Sequence, residues 1–123
     1  MVILGQFGCG IGKSAILVVY AKYLLSSGAT KKVLVCTPSV WVTHQLCCLF
    51  QVTKFIEELA TSDGIFLFEH KRLAEVEDNN LRDTILLVDE ADILLANVEL
   101  KAKALKTTTM IGLSATLGGA VGL

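Results

Sequence analysis

The sequence predicts an α/β fold: a mainly parallel sheet of about five strands with helices on both faces, in three layers. Three observations predict it. Apolar runs alternate regularly with segments of helical length. The apolar runs are four to six residues long and do not alternate with polar residues, which marks strands covered on both sides. The polar residues that could carry chemistry fall where those runs end, as ligand sites do in open parallel sheets.

The elements follow in order. "MVIL" reads as a short buried strand leading into a glycine-rich loop. "KSAILVVYAKYLLSS" has helical length and is closed by Gly28. "KVLVCT" (32–37) is a buried strand ended by Pro38. "VWVTHQLCCLF" (40–50) begins a helix despite its β-branched content, and "KFIEELA" (54–60) reads as an amphipathic helical turn pair. "GIFLFEH" (64–70) is a strand, and "KRLAEVEDNNLRD" a short polar helix and loop. "TILLVDEAD" (84–92) is a buried strand ending in acids, "ILLANVELKAKALK" a helix, and "TTMIGLS" (108–114) the last strand.

Composition bounds the function. The 123 residues suit one domain, 1–123, with one core. Hydrophobic residues make up 53% and charged residues 19%, which argues against disorder. No apolar run approaches the ~18 residues that span a bilayer. The N-terminus has neither a basic start nor a small-residue cleavage site, so the expectation is an intracellular protein, cytoplasmic or nuclear, with no membrane partner. Cys9, Cys36, Cys47 and Cys48 form no C-x-x-C pair and have no His at zinc-ligand spacing. They read as small buried hydrophobes in a reducing compartment. With 11 basic and 12 acidic residues the net charge is −1, and no basic stripe nominates a nucleic-acid binder.

Two stretches point to nucleotide chemistry. In "GQFGCGIGKS", Gly8, Gly10 and Gly12 let the backbone turn tightly and aim N–H groups inward, with Ile11 at the crest. A helix then opens at Lys13–Ser14, its positive end on the same space. Lys13 would reach the β- and γ-phosphates and the Ser14 hydroxyl would ligate Mg²⁺. The strict G-x-x-x-x-G-K-[ST] pattern fails, because Phe7 stands where its first glycine belongs. A flexible glycine loop before an ordinary helix remains the other reading. In "ILLVDEAD", Asp89 and Glu90 emerge where a buried strand ends. One carboxylate there can hold Mg²⁺ and its neighbour can orient or deprotonate an attacking water. A solvated acidic helix start is the alternative.

Together these stretches resemble superfamily 2 helicases and related translocases of the DEAD/DEAH-box type. "GCGIGKS" is similar to their motif I (the Walker A loop, A-x-T-G-x-G-K-[ST]). "DEAD" at 89–92 resembles motif II (Walker B), and "SAT" at 114–116 motif III. "TPSVWVTHQ" is similar to motif Ia, P-T-R-E-L-A-x-Q, keeping Pro38 and Gln45; Ser39 replaces Thr and Val40 replaces Arg. "EHKRL" aligns with T-P-G-R-L of motif Ib, keeping Arg72 and Leu73, with Glu69 where Thr is usual.

The resemblance implies a RecA-like P-loop lobe that binds ATP and Mg²⁺. It assigns phosphate contact to Gly8, Gly10, Ile11, Gly12, Lys13 and Ser14. Metal contact falls to Ser14 and Asp89, and catalysis to Glu90 and Lys13. Coupling of nucleotide state to movement falls to Asp92, Ser114 and Thr116. It implies contact with single-stranded RNA or DNA through Pro38, Ser39 and Arg72. The resemblance runs from motif I to motif III, so the expectation is one partial RecA-like lobe. The second lobe, which carries the arginine finger, is then supplied by another chain or segment. Hydrolysis by these residues alone is accordingly expected to be slow. A SecA-like protein-translocation motor shares the fold and a T-G-E-G-K-[ST] loop, but Ala91 and "SAT" favour the helicase side. A non-catalytic nucleotide-binding or interaction module is the reading of a different class.

Overall fold

The computed structural model describes residues 1–6 and 12–114, without the side chains of Gln6, Gly12 and Lys13. Five strands form one sheet: β1 (Val2–Gln6), β2 (Lys32–Thr37), β3 (Gly64–Glu69), β4 (Ile85–Asp89) and β5 (Thr109–Ser114). The helices are α1 (Gly12–Ser26), α2 (Val40–Phe50), α3 (Asp78–Leu81), α4 (Ala91–Ala96) and α5 (Val98–Ala104), with 3₁₀ turns at Ile56–Glu58 and His70–Glu75. All neighbouring strands are parallel, in the order β1-β5-β4-β2-β3.

That order, with right-handed crossovers, decides which helix covers which face. The steps from β1 to β2 and from β2 to β3 run toward one edge, so α1 and α2 share a face. The steps from β3 to β4 and from β4 to β5 run back, which puts α3, α4 and α5 on the other. The strands answer with their period of two. Val33, Val35, Ile65, Leu67 and Leu87 pack with Leu17, Val18, Ala21 and Leu24 of α1. Leu34, Cys36, Phe66, Phe68, Leu86 and Val88 pack with Leu73, Leu81, Leu94 and Leu100 on the opposite side. Each fully buried Leu or Phe contributes roughly 1.5–3 kcal/mol. A strand buried on both faces has no polar side to display, which is why the sequence shows unbroken apolar runs.

Several local expectations are corrected. The first strand runs on to Gln6, because pairing with β5 continues to Ser114. The strand expected over 64–70 ends at Glu69, where His70 opens a 3₁₀ turn. The segment 54–60 holds one 3₁₀ turn, with the Phe55 N–H donating to the Glu58 carboxylate at 2.7 Å. Seven residues are too few to repay helix nucleation without a packed face. The segment expected as a strand over 84–92 divides at Glu90, whose φ of 53° and ψ of 54° are left-handed. Asp92 therefore lies in the first turn of α4. The helix expected beyond it breaks at Asn97, which is extended and accepts the Leu100 N–H at 3.1 Å. An Asn that caps a new helix outcompetes continuation of the old one. Gly28 closes α1 with φ of +79°, as expected.

One contact fixes the turn between β4 and α4. A Cβ on Gly112 would lie 2.5 Å from the Ala91 Cβ and 3.0 Å from Leu4 Cδ2. Only glycine opposite alanine lets α4 start so close to β5. Gly112→Ala is expected to lower unfolding free energy by about 1–3 kcal/mol through overpacking, read from the urea midpoint. An unchanged midpoint would mean that the turn can move away at no cost.

Candidate functional site

Parallel strands deliver their C-terminal ends to one edge. Gln6 pairs with Ser114, Asp89 with Leu113, and Thr37 with Glu69, so five strand ends lie side by side. α1 begins on this edge, and its 15 residues give it a full dipole, positive end first. Ser14 sits in its first turn. The Ser14 hydroxyl donates to Asp89 Oδ2 at 2.5 Å, and both residues are buried. The two are 75 positions apart and belong to strand–helix units separated by β5. Sheet order, not sequence proximity, brings them together.

Around Asp89 the backbone is held from several sides. Glu90, next in the chain, is a non-glycine residue in the left-handed region, a conformation that costs on the order of 1 kcal/mol. Ala91 is fully buried against Gly112. His70 is buried at the end of β3, and its Nε2 lies 2.7 Å from the Asp89 carbonyl oxygen. A carbonyl only accepts, so Nε2 carries the proton. Burial pushes the His70 pKa below its ordinary value, against the opposing pull of Asp89, Glu90 and Asp92. His70 lies within "EHKRL", where the motif resemblance singles out Glu69, Arg72 and Leu73 and not the histidine. The available signal was a histidine directly following the strand "GIFLFE".

The coupling residues divide. Asp92 is half-buried, and its Oδ1 has no hydrogen-bond partner among the described residues. Ser114 ends β5, fully buried. Thr116 lies outside the described residues, as do Gly8, Gly10 and Ile11 of the loop. Gly12 and Lys13 are placed by their backbone alone, in the first turn of α1.

The residues expected to meet nucleic acid are differently engaged. Pro38 is exposed. Ser39 is the N-cap of α2, its hydroxyl oxygen accepting from the Trp41 N–H at 3.2 Å and the Val42 N–H at 3.5 Å. The hydroxyls of Thr37 and Thr43, 2.6 Å apart, both reach the Ser39 carbonyl. Arg72 pairs with Glu57 at 2.9 Å and with Glu75 at 3.3 Å. Its charge is therefore already compensated. Such exposed pairs are worth only about 0–1 kcal/mol, so a phosphate could displace them cheaply.

The cysteines correct another expectation. Cys36 is buried, and burial pushes its thiol far up. Cys47 is half-buried and Cys48 exposed; all three are free thiols.

No protein-family model matches the chain, and no curated protein matches it in sequence. Its structure does match solved ones. The UvsW helicase from bacteriophage T4 superposes over 95% of this chain with a TM-score of 0.67, at 14% sequence identity. The fold is RecA-like. The chain spans 47% of the length of the UvsW chain, about half. The likeness is one of architecture. No helix among the described residues is long and apolar enough to cross a membrane.

The His70 contact carries a pH dependence. Its folded pKa is lowered, so between that value and the ordinary 6.5 the unfolded chain binds more protons. Stability is fully present above 6.5 and falls as pH drops through the folded pKa. Chemical unfolding of wild type and His70→Gln between pH 7.5 and 5 should show the steeper loss in wild type. Parallel curves would mean that His70 does not titrate this way.

Proposed function

We propose that the chain is the ATP–Mg²⁺ binding lobe of a nucleic-acid-dependent ATPase of helicase type. The observation that carries this reading is the buried hydrogen bond from Ser14 to Asp89 at 2.5 Å. The hydroxyl from the first turn of α1 and the carboxylate from the end of β4 meet there. A hydroxyl and a carboxylate are hard oxygen donors, the set that suits Mg²⁺ and not a soft metal. In this reading the Ser14 hydroxyl and the Asp89 carboxylate would hold the ion. When bound there, Mg²⁺ would supply charge that offsets the phosphates. Lys13 adds a cation to the phosphates, and Glu90 orients the attacking water from its left-handed position. Asp92, Ser114 and Thr116 respond to the nucleotide and pass its state onward. Pro38, Ser39 and Arg72 meet a single-stranded RNA or DNA backbone, Arg72 after leaving its two carboxylates.

Hydrolysis is a separate matter. An arginine finger contributes roughly 10³–10⁵ in rate. Arg72 and Arg82 are the only arginines in the sequence. Neither lies in a segment that the resemblance expects to face the γ-phosphate. In this reading these residues bind ATP–Mg²⁺ and hydrolyse it slowly unless a second RecA-like lobe joins them.

Calorimetric titration with a non-hydrolysable ATP analogue tests the site. Wild type is expected to bind only with Mg²⁺ present. Lys13→Ala and Asp89→Asn should each lose at least about tenfold in affinity, on the order of 1.4 kcal/mol. Equal affinity in the variants would remove the basis of the proposal. Multiple-turnover hydrolysis by the isolated chain at about 1 s⁻¹ or faster would contradict the need for a second lobe.

A further inference from the structure

The outward face of α2 presents a pair that nucleotide chemistry does not use. His44 and Cys48 are four residues apart on this helix, and both are exposed. Cys48 Sγ lies 3.7 Å from His44 Nε2. A tetrahedral zinc-class ion binds sulfur at about 2.3 Å and imidazole nitrogen at about 2.0–2.1 Å, which sets those donors about 3.6 Å apart. The pair thus already stands at the bite of such an ion. One turn earlier, Trp41 is 68% exposed. Cysteine is among the most buried residue types, and tryptophan is enriched at protein interfaces. Trp41 and Cys48 thus expose, on one helix, two side-chain types that are usually covered.

We propose that this face is half of a metal site completed by a second copy of the chain. Two His44 Nε2 atoms and two Cys48 Sγ atoms, related by a twofold axis, hold one divalent ion of the zinc class. Among the described residues no three His, Cys, Asp or Glu side chains converge, so one chain offers two donors where a closed tetrahedral shell needs four. A twofold interface doubles whatever one copy presents, which turns a two-donor pair into four. Soft thiolate and imidazole select zinc-class ions over Mg²⁺, which keeps this site chemically distinct from the oxygen donors at Ser14 and Asp89. The two Cys48 thiols lose their protons to solvent as the ion binds.

The test is sedimentation velocity of the chain with Zn²⁺ or Co²⁺ added, under a non-chelating phosphine reductant. The expected result is a monomer that becomes a dimer at one ion per two chains and returns to monomer with EDTA. With Co²⁺, a thiolate charge-transfer band should rise in step. His44→Ala and Cys48→Ser should each abolish both signals, whereas Cys47→Ala should keep them. Circular dichroism checks that each variant remains folded. Metal binding at one ion per monomer would overturn the proposal, as would no change in mass. So would a dimer indifferent to His44→Ala, or one that survives EDTA and dissociates only on reduction.

Discussion

The bond between Ser14 and Asp89 depends on a sheet that inserts β5 between the two strands that deliver them. Were β1 and β4 adjacent, α1 would start about one strand spacing closer to Asp89. β5 must then be narrow where α4 passes over it. Gly112 meets that requirement opposite Ala91. The site and the core therefore share one constraint: the spacing of β1, β5 and β4 sets both the reach of Ser14 and the size of the residues at 91 and 112.

Much of this was legible in the sequence. The strands were visible because both faces are covered, which forces continuous apolar runs such as "ILLV" and "KVLVC". Asp89 was visible because a carboxylate directly after such a run emerges at a strand end. What stayed hidden was decided by contacts distant in the chain or by capping. The break at Asn97 rests on one side chain finding the Leu100 N–H, which periodicity does not register. His70 acquires its partner only through the parallel placement of β3 and β4 on either side of β2. Arg72 was assigned by motif alignment, while its two carboxylates come from a turn 15 residues upstream and a position three residues on. Cys48 was grouped with buried thiols because composition cannot say which face of α2 it occupies.

The two electrostatic regimes of the molecule differ in kind. Near the strand ends Ser14, His70 and Asp89 are buried and tied by short hydrogen bonds of 2.5 and 2.7 Å. Burial there strengthens each interaction and makes each unpaired group costly. Farther out, Lys103 and Lys106 clamp Asp78 at 3.1 and 2.6 Å, and Arg72 spans Glu57 and Glu75. These outer pairs are open to solvent and screened by salt, so they tune helix positions without fixing them. Arg72, Lys103 and Lys106 are the basic residues held in these local pairs.

Strain at Glu90 is the last link between packing and chemistry. A left-handed non-glycine residue persists only where its surroundings over-determine it. Here the supports are identifiable. The parallel pairing of β4 holds the chain up to Asp89, and His70 fastens the Asp89 carbonyl. Ala91 is locked against Gly112 immediately afterward. With both neighbours fixed, residue 90 has little freedom to relax, and its side chain leaves the backbone in a direction that an ordinary strand end or helix start would not give. A solvated acidic helix start would need none of these supports. Their concentration on one residue of "DEAD" sets this turn apart from an ordinary strand-to-helix connection.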